Sequence, residues 1–130
     1  MVGDSIADFI TRIKNAQARG KETVSAPYSK IKHDISEVLI KEGYVKSAVK
    51  KGKKIKKTLE LELVYIDSHP RVEGVKRVSR PSRRVYMSAK ELGKMGRRRG
   101  LLIVSTPKGI ITSAEAFKAN VGGEVLCTLW

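Results

Sequence analysis

The sequence predicts an α/β (α+β) protein of two small lobes. The first lobe is ordered α-β-α-β-β, and the second is mostly short β-strands with one short helix. Three observations predict this. Apolar residues recur at three- and four-residue steps through two early segments. A two-residue alternation takes over in "TLELEL" (58–63). Beyond it, short apolar runs are separated by Gly, Pro and Ser at turn spacing. The implied boundaries are 1–66 for the N-terminal lobe, 67–74 for a linker and 75–130 for the C-terminal lobe.

The elements follow in order. In "DSIADFITRIKNAQARG", Ile6, Phe9, Ile10, Ile13 and Ala16 share one helical face, with Asp4 as cap and Gly20 as stop. "TVSAP" (23–27) is extended. Ser29 caps a second helix whose buried stripe is Ile31, Ile35, Val38 and Leu39, and Gly43 ends it. "YVKSAVK" (44–50) and "TLELELVY" (58–65) read as strands, with Leu59, Leu61 and Leu63 inward and Glu60 and Glu62 outward. "KKGKK" between them is a hairpin or a loose loop. In the linker "DSHPRVEG" (67–74), His69-Pro70 discourages helix and Gly74 permits a turn. Strands follow around 75–79, 83–87, 101–106, 109–111 and 124–130. One short helix at "SAEAFKAN" (113–120) is capped by Ser113 and stopped near Gly122.

Charge bounds the function. The 130 residues hold 27 Lys and Arg against 13 Asp and Glu, a net charge of +14. So basic a domain repels itself, and nucleic acid is the commonest polyanion that relieves this. The charge is uneven: residues 76–99 carry ten basic side chains and one acid, whereas residues 100–130 balance Lys108 and Lys118 against Glu115 and Glu124. The hydrophobic fraction of 41% supports a core, and with aromatics at 5% that core rests on Ile, Val and Leu. The lone cysteine, Cys127, excludes an intrachain disulfide, and no Cys and His cluster suggests a metal or cofactor. Asp4 and Asp8 interrupt any secretory signal, and the longest apolar runs, "LVYI" and "LLIV", are too short to cross a membrane. The expectation is a cytoplasmic protein. His33 and His69 lack the context of a nucleophile or base, so catalysis is not expected.

Three stretches carry candidate chemistry. "KSAVKKGKKIKK" (46–57) has seven lysines and no acid. It reads either as a basic arm along phosphates or as a solvated hairpin tip guarding an edge strand. "KRVSRPSRRVY" (76–86) sets Arg77, Arg80, Arg83 and Arg84 beside Ser79, Ser82 and Tyr86. Arginine grips phosphate bidentately and stacks on bases, which suits RNA. The plainer alternative is a charged loop with Tyr86 in the core. In "VSTPKGII" (104–111), Thr106-Pro107-Lys108-Gly109 has tight-turn spacing, and the turn is the simplest reading. A hairpin tip there also presents the Ser105 and Thr106 hydroxyls and free backbone N–H groups, while Gly109 lets another backbone approach. In "GGEVLC", Glu124 is tolerable near phosphates where it accepts from base amino groups or orients a basic side chain.

"DSIADFITRIKNA", "RVSRP…RVY", "STPKGI" and "GGEVLC" with a terminal tryptophan occur in that order along the whole chain. Together they resemble the small-subunit ribosomal protein S-eight family of the bacterial type. The resemblance implies a two-lobed protein that binds a stem in the central domain of small-subunit ribosomal RNA (rRNA) and helps assemble the platform. It implies RNA contacts at Ser105, Thr106, Lys108, Gly109, Tyr86 and Glu124, with backbone contacts at Asn15 and Lys30. It also implies neighbours in small-subunit proteins five and twelve and, in some members, repression of the protein's own messenger RNA. Three positions depart from the family pattern: Ser82 stands where glycine is usual, Pro107 where serine is usual, and "GKMGRRRG" (93–100) is unusually basic. Other classes remain open from the residues. A general architectural nucleic-acid binder explains the charge but not the neutral hairpin. An RNA-acting enzyme would need a base, metal or nucleophile.

Overall fold

The computed structural model describes residues 4–53, 55–95 and 100–130. Lys54 of the lysine run and residues 96–99 of the "GKMGRRRG" stretch lie outside them. The chain divides into two compact units. One is Asp8–Glu73, and the other is Gly74–Trp130 with the N-terminal residues through Ala7. The mixed α+β class is as expected, with helices set against antiparallel sheets.

Helix α1 (Ser5–Ala18) begins where Asp4 Oδ1 accepts from the Ala7 N–H at 3.0 Å, the expected cap. Strand β1 (Thr23–Pro27) precedes helix α2 (Lys30–Lys41), whose cap Ser29 accepts from the Lys32 N–H. Gly43 stops α2 from the left-handed region at φ +78°. Strands β2 (Val45–Lys51) and β3 (Thr58–Leu63) complete an antiparallel sheet in the order β1-β3-β2. The period-two pattern is realised: Leu59, Leu61 and Leu63 are buried, while Glu60 and Glu62 pair with Lys51 and Lys46 on the wet face. Between 64 and 74 the chain forms a small hairpin of β4 (Tyr65–Ile66) and β5 (His69–Pro70). Asp67 and Ser68 turn it, both at positive φ.

Gln17 ties this unit together and has no signal in the apolar pattern. It is almost fully buried on the inner face of α1. Its amide donates to the Val64 carbonyl at 3.1 Å and accepts from the Val72 N–H at 2.8 Å. The Val72 N–H would otherwise be buried without a partner, while the Val64 carbonyl also accepts from the Arg71 N–H.

The second unit holds β6 (Val75–Arg77), β7 (Tyr86–Met87), β8 (Leu101–Thr106), β9 (Gly109–Thr112) and β10 (Gly123–Leu129). Its sheet runs β6-β10-β8-β9, all antiparallel, with β7 also paired to β10. β6 and β7 are shorter than the strands expected at 75–79 and 83–87. Val78, Ser79 and Val85 stay hydrogen-bonded to the β10 backbone, and residues 80–84 leave it as an arm, closed by reciprocal backbone hydrogen bonds between Arg80 and Arg83. Ser82 at its tip has no positive φ, so the turn closes there without glycine. Helices α3 (Ala89–Met95) and α4 (Ser113–Lys118) cover one sheet face over a core of Leu92, Val104, Ala116 and Val125.

This corrects the expectation of one short helix. α3 is announced by Ser88 and Glu91: the Ser88 hydroxyl accepts from the Glu91 N–H, and the Glu91 carboxylate from the Ser88 N–H. Gly93 disguises the helix as a turn, yet it is a packing residue, since a Cβ there would overlap the Phe117 ring. The cap of α4 also moves by one, from Ser113 to Thr112, which forms the same box with Glu115. Thr112→Ala is expected to cost about 1 kcal/mol in urea unfolding. A loss below about 0.3 kcal/mol would show that the box is dispensable.

Candidate nucleic-acid interface

The site is built across three strands. Glu124 on β10 is in register with Tyr86 on one side and Ser105 on the other. Directly opposed residues of antiparallel strands point to the same face, with Cβ atoms about 5 Å apart. Tyr86, Glu124 and Ser105 therefore form one continuous row, assembled from three separate motifs. Tyr86 is 69% exposed, so it is not a core residue. Neither its hydroxyl nor that of Ser105 has a hydrogen-bond partner among the described residues. Glu124 is held by Arg84, whose Nη1 donates to its Oε2 at 3.2 Å.

The turn beside the row is a two-residue hairpin, with Thr106 opposite Gly109 and Pro107-Lys108 exposed at the tip. Gly109 sits at φ +103°, a value open to glycine and strained for other residues. One expectation changes here. The Thr106 hydroxyl is not free: it accepts from the Lys108 N–H at 3.1 Å and donates to the Gly109 carbonyl at 2.9 Å. It shapes the turn, and Ser105 is the hydroxyl left to a ligand.

Gly123, absent from the expected site residues, sets how closely the row packs. A Cβ at this position would overlap the Ser105 carbonyl oxygen. The paired glycines of "GGEVLC" were the available signal. Ser79 is structural as well. It is fully buried, and its hydroxyl accepts from the Val85 N–H at 2.8 Å, fastening the base of the arm.

The four arginines of "KRVSRPSRRVY" separate. Arg84 is exposed and joins the row through Glu124. Arg80 and Arg83 are exposed but line a different groove. Arg77 is turned inward, its side chain only 8% exposed. Its Nε donates to both Asp4 oxygens at 3.1 and 3.2 Å, and its Nη1 to the Leu126 carbonyl at 2.6 Å. That removes Arg77 from the candidate contacts, because its guanidinium is committed inside the protein. Burial alone would raise the Asp4 pKa. The Ala7 N–H and the Arg77 guanidinium outweigh it and hold the carboxyl below its ordinary value.

Asn15 and Lys30 lie in the other unit. Asn15 is exposed in a shallow cleft with Arg12, Arg19 and Lys21, and Lys30 pairs with Asp34 at 3.5 Å. In the lysine run, Lys46 and Lys51 are paired with glutamates, and Lys50 lies over the Tyr28 ring at 4.5 Å. Lys53, Lys56 and Lys57 surround the turn, where Ile55 is almost fully exposed. His33 faces Glu37, and burial pushes the Cys127 thiol up to about 12, so that cysteine is no nucleophile at neutral pH. Among the described residues no metal-ligating cluster occurs, and no helix is long and apolar enough to cross a membrane.

Residues 4–130, which include the whole row, match the family model for ribosomal protein S8. The chain belongs to the ribosomal protein S8 family. Over 130 residues it is 46% identical to the small ribosomal subunit protein uS8 of a Cereibacter sphaeroides strain, covering 99% of this chain and 98% of that one. It is 43% identical over 129 residues to the uS8 protein of Ruthia magnifica, with 99% and 98% covered. Against the uS8 protein of Nitrobacter winogradskyi it is 48% identical over 128 residues, with 98% and 97% covered. As an S8 protein of the bacterial type, it is a constituent of the small ribosomal subunit and not an enzyme. The bulge in β10 between Val125 and Cys127 then acquires a purpose within this S8 chain. It frees the Leu126 carbonyl to accept from Arg77 and from the Val78 N–H, which anchors the arm bearing Arg84 and Tyr86.

Proposed function

We propose that the row of Tyr86, Glu124 and Ser105, with the Thr106–Gly109 turn, reads a stem with an irregular internal region in the central domain of small-subunit rRNA. The observation that supports this reading most is the register itself, because it sets an exposed aromatic, an oriented carboxylate and an unpartnered hydroxyl side by side. Tyr86 offers a face on which an unstacked base stacks. Glu124 accepts from base amino groups and fixes the Arg84 guanidinium. Lys108 and Arg84 neutralise adjacent phosphates, and Gly109 lets the turn approach the shallow minor groove. Asn15 and Lys30 add backbone contacts from the other unit. Bound in this way, the protein helps order the platform of the subunit, next to small-subunit proteins five and twelve. The same row binds its own messenger RNA where that message carries an equivalent stem.

The test is a titration of the central-domain stem against a perfectly paired control stem across a salt series. A preference for the irregular stem that persists as salt rises is the expected result. Loss of both together would leave only a basic architectural binder. Ser105→Ala should weaken the irregular stem about tenfold and the control hardly at all, the loss of one good hydrogen bond. Lys108→Ala should weaken both and lower the salt slope by about one. An unchanged slope would place Lys108 off the phosphates.

A further inference from the structure

The lysine run holds two kinds of lysine. Lys46 and Lys51 pair with glutamates on the wet face of their sheet, and Lys50 lies over the Tyr28 ring. Those three serve a solvated, guarded edge strand. Lys53, Lys56 and Lys57 have no acidic partner among the described residues. They flank Ile55, which is 97% exposed at the end of the β2–β3 hairpin. A β-branched residue is a poor choice in a tight turn, where Gly, Asn and Asp are favoured. Yet the backbone around Ile55 specifies the turn. The Lys56 N–H donates to the Lys53 carbonyl at 3.2 Å. Gly52 sits at φ +96°, and a Cβ there would overlap the Lys56 carbonyl oxygen. The Lys57 carbonyl accepts from the Tyr28 N–H at 3.0 Å, which fastens the base of the tip beside the end of β1. An isoleucine that breaks the local turn rule and buries almost nothing within the chain points to a contact outside it.

We infer that this tip is a second RNA contact, in which Ile55 wedges between two bases while Lys53, Lys56 and Lys57 hold the phosphates on either side. Phosphates flank every base step, so an apolar wedge needs cations beside it. The target is a step of small-subunit rRNA already loosened by a bulge or internal loop, because opening a fully stacked step is costly. Ile55 supplies shape, and the lysines supply affinity and salt dependence. The row works differently, since it offers an aromatic face and hydrogen-bonding groups. A single isoleucine is too small an apolar face to hold a membrane surface.

The experiment uses the full chain with a benzoylphenylalanine photocrosslinker in place of Ile55, bound to full-length small-subunit rRNA. Adducts are mapped by reverse-transcription stops. The expected result is one dominant stop at an irregular step outside the stem read by the row. Acylation of the ribose 2′-hydroxyls at that step should rise at least threefold when the native chain binds, and should not rise with Ile55→Ser. Ile55→Ser should also weaken binding to the whole rRNA about tenfold, and leave binding to the isolated stem within twofold. Ile55→Leu should keep both the affinity and the acylation. Lys53→Gln combined with Lys56→Gln should lower the salt slope by about two. Scattered stops, stops within the stem, no stop from a chain shown to be bound, or full acylation with Ile55→Ser would each overturn the inference. Retention on phosphatidylglycerol vesicles that needs Ile55, without an rRNA stop, would make the tip a membrane contact instead. The row is tested separately by Ser105→Ala on the isolated stem, so failure of that reading alone leaves the Ile55 stop in place.

Discussion

Arg77→Ala is expected to cost about 3–5 kcal/mol in urea unfolding, a large share of the roughly 5–15 kcal/mol that holds a domain folded. The side chains of Arg77 and Asp4 are 8% and 2% exposed. Removing the guanidinium leaves a buried carboxylate with no cation beside it among the described residues, and leaves the bulge carbonyl of Leu126 without its 2.6 Å donor. Asp4→Asn should cost less, since an amide oxygen still accepts from the Ala7 N–H. Acid separates these causes. In the native chain the Asp4 pKa is lowered, so its contribution is present above the ordinary value of 3.8 and is lost as pH falls through the depressed folded value. In Arg77→Ala the lowering by the guanidinium is lost, so Asp4 takes up its proton at a higher pH than in the native chain and the deficit against the native chain narrows toward acid. A destabilisation under about 1 kcal/mol would show that the pair is weak, and would return Arg77 to the candidate RNA contacts.

Gly123→Ala is the second large effect, this time on binding. Its methyl would overlap the Ser105 carbonyl oxygen and sit 3.1 Å from Thr106 Cγ2. The obstacle is backbone, so β8 and β10 must part at the very register that aligns Ser105 with Glu124. Affinity for the irregular stem should drop more than a hundredfold, about 2.7 kcal/mol or more. Binding to the paired control, driven by charges elsewhere, should change little. Equal losses on both RNAs would mean that the substitution damages the unit rather than the row. Urea unfolding followed by Trp130 fluorescence checks this independently, because Trp130 belongs to the same unit.

Much of this was legible in the chain. The apolar stripes of α1 and α2 and the Leu-Glu alternation of β3 each declare one buried face, because helix and strand periods are local properties. The "STPKG" turn was equally readable, since proline and glycine constrain the backbone where they stand. The order of four motifs sufficed to resemble a family. α3 was legible too, through its Ser88 and Glu91 box, but Gly93 masked it.

The partners were not legible. A period tells which residues of one strand share a face; it does not say which strand lies alongside. Tyr86, Glu124 and Ser105 become a row only because β10 pairs with both β7 and β8 in one register. Four similar arginines acquire three different fates from what lies opposite them. Arg77 meets Asp4 across 73 positions of sequence, Arg84 meets Glu124 across 40, and Arg80 and Arg83 line a groove with Val78, Val85 and Leu102. Charge, local elements and family follow from the order of residues. Which charges are neutralised inside, and which remain for a ligand, follows only from the folded chain, because that depends on long-range packing and burial, which no local spacing records.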